Sequence, residues 1–373
     1  MGRRLSSRAT IVDVASAAGV SVSTVSRVIR GHVDVQSATR TKVQAAIEAM
    51  GYRPSPIARA LVSGETRLLA LFVSDITNPF YPQLAKSVEH EAAKAGYAVV
   101  ICNTGDRIAE THRHLTRLLG QGLDGVIHAA VGRDEATVLS VLGDHRRVVF
   151  INRPPADASV SYVVSDNLGG SRDLTRHLLS RGHRRIGFIG GPSFARNATD
   201  RLRGFTQAMA EVADATPFVV EAAFSRNSGT RTLKKWLDDE CGLTAVIAIN
   251  DQVALGAMEL LVQRNLCMPA DIALAGFDGT AFAASPIMSL TTVDQHIDEI
   301  GRQGVRLLLK QLGSERFVPD RQVLPTKLLL RNSTEGTALP RTRLARAQTE
   351  RAPTTGAVRP LARADRPTGK ARC

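Results

Sequence analysis

Apolar residues recur along this chain in two rhythms, and the change between them falls near residue 66. Before it, the stretch TIVDVASAAGVSVSTVSRVIRG at 10–31 predicts two short helices. Thr10 is placed to cap the first, whose apolar positions are Ile11, Val14, Ala15 and Ala18. Gly19 can take the positive φ that ends it. Ser21 caps the second, with Val22, Val25, Val28 and Ile29 at helical spacing. So short a separation suits a helix-turn-helix rather than a hairpin bundle. A third helix is expected at about 38–50, stopped by Gly51, and the three make one small core. YRPSPIARALVSGET at 52–66 is broken by Pro54 and Pro56 and reads as a linker able to form one helical turn.

From Arg67 the pattern becomes apolar runs alternating with amphipathic stretches. LLALFVSD, YAVVIC, DGVIHA and RVVFIN read as buried strands, separated by helices expected at about 80–95, 108–120 and 134–142. The rhythm then repeats: YVVSD, RIGFIG, FVVEAAF, TAVIAI and DIALAGF, with helices at about 167–181, 199–212, 229–239 and 251–264. Alternation of this kind predicts α/β architecture with parallel sheets and right-handed crossovers. Two series in about 230 residues predict two similar lobes, and a ligand cleft at the carboxyl ends of their strands. After Arg331 periodicity is lost, and the Pro-, Arg-, Ala- and Thr-rich remainder is expected to be disordered.

A length of 373 residues predicts two or three folding units, and 22% charged residues is ordinary for a soluble chain. Charge placement adds more. Residues 1–64 hold nine Lys/Arg against three Asp/Glu, and residues 335–373 do the same. The body between them is left near +1 of the total +13. Two basic ends on a neutral body point to a polyanion, most simply nucleic acid. No apolar run approaches the roughly 18 to 20 residues of a membrane span, and the basic, polar N-terminus lacks a signal core, so a cytoplasmic protein without membrane contact is expected. Cys102, Cys241, Cys267 and Cys373 are too scattered for a zinc or redox motif, and Cys102 is expected to be a buried thiol.

The stretches TIVDVASAAGVSVSTVSRVIRG, AMGYRPSPIARAL, SDITNPFYPQLAKSVEHEAAKAGY, GHRRIGFIGGP, AINDQVALGAMELL and ADIALAGFDGTAFA together resemble the lactose-repressor/galactose-repressor family. The resemblance covers about residues 10–331 and leaves out the tail. It implies a three-helix DNA-binding domain at 1–53, a hinge at 54–65 and a periplasmic-binding-protein-like sensor at 66–333. The first lobe would take about 66–163 and 295–322, the second about 164–294 and 323–333, with a basic tail at 334–373. The implied function is a ligand-responsive regulator, most simply a repressor, that binds a pseudo-palindromic operator as a homodimer.

The same resemblance implies site residues. The second helix would enter the major groove with Val22, Ser23 and Thr24, followed by Ser26 and Arg27. Valine can touch a thymine methyl, serine can bond several bases, and arginine can grip guanine or a phosphate. Arg30 and Arg40 suit phosphates better. In the hinge, Ala58 and Leu61 would meet the minor groove, with Leu61 wedged between bases. Pro56 departs from the family pattern, which would stiffen the start of the hinge. Ligand positions fall at Phe80 and Tyr81, at Asn152 and Gln295 near the crossovers, and at Arg196, Arg201, Phe224, Asn250 and Asp278. A sugar, sugar derivative or nucleobase-like effector is implied. Asn152 stands where some members carry aspartate, which removes a strong hydroxyl acceptor. Asn250 could equally cap the next helix, and Arg201 with Asp278 could form an interlobe salt bridge. The dimer is expected through 83–95 and 253–264, with Val253, Leu255, Met258 and Leu261 exposed or, for two of them, in the core.

Three other functions fit the sequence less well. A sugar-binding transport protein shares the two lobes but has no use for residues 10–62. An enzyme lacks support, because no phosphate-cradling glycine motif, metal-ligand cluster or nucleophile–base motif is present, and no cofactor is expected. A nonspecific nucleoid protein leaves some 270 residues of near-neutral sensor unexplained.

Overall fold

The computed structural model describes residues 9–29, 34–52, 65–130 and 132–335. The hinge positions Ala58 and Leu61, Arg30, and the tail from 336 onward lie outside the described residues.

Helices α1 (Ile11–Ala18), α2 (Val22–Ile29) and α3 (Ser37–Ala49) form the N-terminal unit. The Thr10 hydroxyl accepts the Asp13 amide at 3.3 Å, while the Asp13 carboxylate accepts the Thr10 amide at 2.7 Å. This reciprocal pairing satisfies donors that a helix start leaves open, and holds the Asp13 carboxyl below its usual range. Gly19 closes α1 at φ 67°, and the chain turns by 103° into α2. Val14, Ala15, Val25, Val28, Val43 and Ala46 share one small core.

The sensor contains two six-stranded sheets. The first is built from β1 (Leu68–Val73), β2 (Ala98–Asn103), β3 (Gly125–His128), β4 (Val148–Ile151), β5 (Ser161–Ser165) and, much later, β11 (Arg321–Leu324). Its order is β11-β5-β4-β3-β1-β2, all parallel. Helix α4 (Phe80–Lys94) and the late α11 (Ile297–Leu312) share one apolar cluster with this sheet; α5 (Ile108–Leu119) and α6 (Glu135–Leu142) share another.

The second sheet comprises β6 (Arg185–Ile189), β7 (Thr216–Val220), β8 (Ala245–Ala248), β9 (Ala273–Asp278), β10 (Thr291–Asp294) and β12 (Lys327–Leu329). Its order is β12-β10-β9-β8-β6-β7, and only the edge pair β10–β12 is antiparallel. Helix α7 (Asn167–Ser180) packs on α8 (Arg196–Ala210), and α9 (Arg226–Asp238) packs on α10 (Asp251–Gln263). The short α12 (Asn332–Glu335) closes the description, with the Ser333 hydroxyl on the Leu274 carbonyl at 2.6 Å.

Several details differ from the sequence reading, the helical residues Asn332–Glu335 after Arg331 among them. Helix α8 begins at Arg196 rather than 199, and β7 ends at Val220, so that Glu221–Phe224 leave the sheet. The last passage between lobes lies between Leu324 and Lys327, because β11 continues its pairing with β5 to the Leu324–Ser165 position. Val253, Met258 and Leu261 are buried in the second lobe's own core, and Leu255 is partly buried against it, so these four are not an open apolar face. Helical periodicity looks the same whether a face meets its own sheet or a partner.

Candidate functional site

The first candidate surface is α2. The Ser21 hydroxyl accepts the Thr24 amide at 3.2 Å, which fixes the helix start. Val25 and Val28 turn into the core. Val22, Ser23 and Arg27 are exposed, with Thr24 and Ser26 half-buried beside them. Arg27 lies 3.8 Å from the Asp34 carboxylate, yet its side chain remains 63% exposed. An exposed pair of this kind contributes little, so the guanidinium can exchange Asp34 for a base edge or a phosphate.

The second is a cavity of about 330 Å³ between the lobes. Both sheets change strand order beside it, at β1–β3 and β6–β8, where open parallel sheets leave a crevice. The expected Phe80, Tyr81, Asn152, Arg201, Phe224, Asn250 and Asp278 all line it. Phe80 and Tyr81 open α4 as an edge-to-face pair with ring centroids 5.2 Å apart. Burial pushes the Tyr81 phenol above its ordinary value. Phe224 reaches the cavity because the chain has left the sheet after Val220.

Arg201 is 3% exposed, and its bonds are fixed within the second lobe. It donates to Asn167 Oδ1 at 2.8 Å and to the Ile249 carbonyl at 2.6 Å, and stacks over Phe277 at 3.8 Å. Asp278 ends β9 at 3.6 Å from this guanidinium, so the pair lies within one lobe and does not form the expected interlobe salt bridge. Desolvation lowers the Arg201 pKa to about 10 and raises that of Asp278, the latter opposed by the Arg201 charge. Asp278 sits at φ 129°, a strained conformation that its neighbours must hold. Gln295, fully buried, does so by donating Nε2 to Asp278 Oδ1 at 2.6 Å.

Asn250 stands at a helix start and at the cavity wall at once. Its Oδ1 accepts the Val253 amide at 2.8 Å to cap α10, and the residue lines the cavity. The Oδ1 atoms of Asn78, Asn103 and Asn197 likewise accept backbone amides, of Phe80, Ile76 and Ala198. Each leaves its Nδ2 donor for the cavity it lines. Asn152 is the converse: its Nδ2 donates to the Ala129 carbonyl at 3.4 Å, leaving Oδ1. Ser74, Asp75 and Asp106 complete the first-lobe wall. A hydroxyl donates and accepts at one atom, so an array of separate donors and acceptors beside aromatic faces suits a polyhydroxylated ring.

Two expected ligand residues are placed otherwise. Gln295 supports Asp278 and does not line the cavity. Arg196 donates Nη1 to the Pro155 carbonyl of the first lobe at 2.9 Å, also outside the lining. Sequence reading overlooked Ser74, Asp75, Asn78, Asn103, Asp106 and Asn197. The strand-end signal that located Asn250 and Asp278 applied equally to Ser74 after β1 and Asn103 at the end of β2.

A helix-turn-helix with an open second helix, joined in one chain to a two-lobed sensor with a lined cleft, defines a ligand-responsive, DNA-binding transcription regulator. Comparison with known proteins agrees. The profile described as "Bacterial regulatory proteins, lacI family" matches residues 10–55, and that of a periplasmic binding protein-like domain matches 175–334. The ribose operon repressor of Halalkalibacterium halodurans is 34% identical over 329 residues, spanning 88% of this chain and 97% of the relative. The regulator CelR of Thermobifida fusca is 35% identical over 338 residues, 87% of this chain and 98% of the relative. Among solved structures, a CelR–cellobiose complex aligns with TM-score 0.65 at 33% identity, covering 87% of this chain and 100% of that one. The lac repressor dimer bound to operator and the anti-inducer ONPF aligns with TM-score 0.78 at 28% identity, covering 87% and 99%. The chain belongs to the lacI family of bacterial regulatory proteins.

Proposed function

We propose that this regulator is a cytoplasmic repressor that binds a pseudo-palindromic operator as a homodimer and senses a sugar in the interlobe cavity. The observation that carries the sensing role is the convergence of Arg201, Asp278 and Asn250 with the Phe80–Tyr81 and Phe224 rings on one cavity. Relatives named for ribose and cellobiose support the ligand class. Val22, Ser23, Thr24, Ser26 and Arg27 are assigned to the major groove. Ala58 and Leu61 are assigned to the minor groove by resemblance alone. No catalytic role is assigned, in keeping with relatives that are regulators.

Thermal unfolding of the full chain across a panel of neutral sugars tests the sensing role, since a ligand that binds only the folded state stabilises it by mass action. Ribose and cellobiose are the first probes. A rise in Tm with one sugar, abolished by Asp278→Ala, supports the reading. A rise that persists unchanged in Asp278→Ala and Arg201→Ala places the ligand elsewhere and overturns it.

A further inference from the structure

Two contacts cross between the lobes without lining the cavity. Arg196, the first residue of α8, donates Nη1 to the Pro155 carbonyl at 2.9 Å. Two residues earlier, the half-exposed Phe194 carries the Arg133 guanidinium over its ring, 4.8 Å from the centroid. Arg133 follows β3 and Pro155 follows β4, both in the first lobe; Phe194 and Arg196 follow β6 in the second. One second-lobe segment, 192–197, therefore meets two first-lobe loops. The same segment lines the cavity at Pro192 and Asn197.

The first-lobe partners are held by a buried charge cluster that the ligand residues do not use. Asp134 and His128 are fully buried, 3.1 Å apart, and the Thr111 hydroxyl donates to the same carboxylate at 2.6 Å. Arg153, 5% exposed, lies 3.5 Å from Asp134 and 3.6 Å from Glu135, and donates Nε to the Ala130 carbonyl at 2.8 Å. Glu135 in turn accepts the Ala156 amide at 2.7 Å and the Asp157 amide at 2.9 Å. Residues on both sides of Arg133 and of Pro155 are thus tied into one network. Burying these ions is expensive unless each is paired, and a network that is costly to move makes a fixed anchor.

We propose that Arg133 and Arg196 are positioning residues that clasp the two lobes, so that the Arg133–Phe194 and Arg196–Pro155 contacts, anchored by the Asp134–Arg153–Glu135 cluster, set how far the cleft opens. The clasp residues lie outside the cavity lining. It acts on the ligand residues by placing the segment that carries them, and so biases the open and closed populations of the sensor before any effector arrives. Arg133 and Phe194 are both exposed, so their contact is modest: a cation over a ring at such a site changes a two-state ratio by about two- to fivefold.

The distance between lobes in the ligand-free full chain is the direct readout, and it does not depend on which effector the sensor takes. Nitroxides at the exposed Gln121→Cys and Ala213→Cys positions report it, with Cys241, Cys267 and Cys373 changed to serine and labelled chains diluted in unlabelled chain. Arg133→Ala and Phe194→Ala should each raise the longer-distance population by about two- to fivefold, and Arg196→Ala should raise it in the same direction. Arg133→Ala combined with Phe194→Ala should do no more than either alone, and Arg133→Lys should restore much of the parent distribution. Unchanged distances in all three single variants would overturn the clasp. Additive effects of the Arg133 and Phe194 changes would overturn their pairing. A failure of the sugar panel leaves this measurement standing, so the two readings fail separately.

Discussion

At the scale of single residues, Arg27 and Asp278 occupy opposite regimes. Arg27 is a solvated charge whose only described partner is an exposed carboxylate. Arg27→Ala should leave the unfolding midpoint of the N-terminal unit nearly unchanged and yet cost on the order of 1–3 kcal/mol at the preferred operator if it reads a base. Quantitative footprinting on operators varied one base at a time checks this; equal weakening at every sequence would identify a phosphate contact instead. Asp278 is buried beside a buried cation, and burial raises its pKa above the ordinary 3.8. Above pH 3.8 the unfolded chain has released a proton that the folded chain still holds, so this residue makes stability fall as pH rises toward its folded pKa. Asp251, raised by the same cause to about 6, acts in the same direction. Asp278→Asn removes one such contribution. Its unfolding free energy, followed by denaturant titration over this pH interval, should decline less steeply than that of the parent. An unchanged slope would mean that Asp278 is ionised throughout, sustained by Arg201.

At the scale of elements, contacts between helices depend on glycines that the hydrophobic pattern does not reveal. A Cβ at Gly229 of α9 would collide with the Val253 carbonyl of α10, and one at Gly256 would collide with the Arg226 carbonyl. Gly229→Ala should destabilise the sensor by about 1–3 kcal/mol despite alanine's better helix propensity, measured as a shift in chemical denaturation midpoint at unchanged m. A gain in stability would show that the two helices can separate at no cost. The same feature explains what was legible in the sequence. Strands such as β1, β3, β4 and β8 are buried on both faces, and their continuous apolar runs were plain. Helix α11 went unread. Its glycines weaken the helical signal, yet Gly301 lies against Ser87 of α4 and Gly304 against Ile151 of β4, where a side chain would not fit. Strands β11 and β12 are short, half-exposed edges whose place is fixed by partners more than 30 residues away. In the cleft, Asn250 and Asp278 were legible as polar ends of apolar runs. Arg196 was not, because only the position of Pro155 in the other lobe decides what its guanidinium meets.

At the scale of the whole molecule, the helix-turn-helix and the net charge of +13 describe a protein whose DNA affinity is strongly electrostatic. Each phosphate neutralised by Lys or Arg releases counterions, so affinity should drop by about 10³–10⁵ between 50 and 200 mM salt for some six to ten phosphate contacts. Fluorescence anisotropy across a salt series measures the slope. Truncation before residue 336 should lower it while preserving the operator's dyad-symmetric footprint. An unaltered slope would show that the basic tail takes no part in binding.

The chain passes between the lobes three times, at 165–167, 294–297 and 324–327. Neither lobe is therefore one continuous stretch of message. The first half of the sensor to be translated, β1 to β5, leaves the ribosome without the α11 that covers part of its apolar surface and without its β11 edge. It must wait for about 130 more residues before α11 begins to emerge. During that interval the nascent chain exposes the Ile151 and Leu84 surfaces that α11 later buries. This early, uncovered lobe is the stage of synthesis at which a chaperone would matter most. A message that stops after β10 would yield an aggregating fragment rather than a smaller sensor.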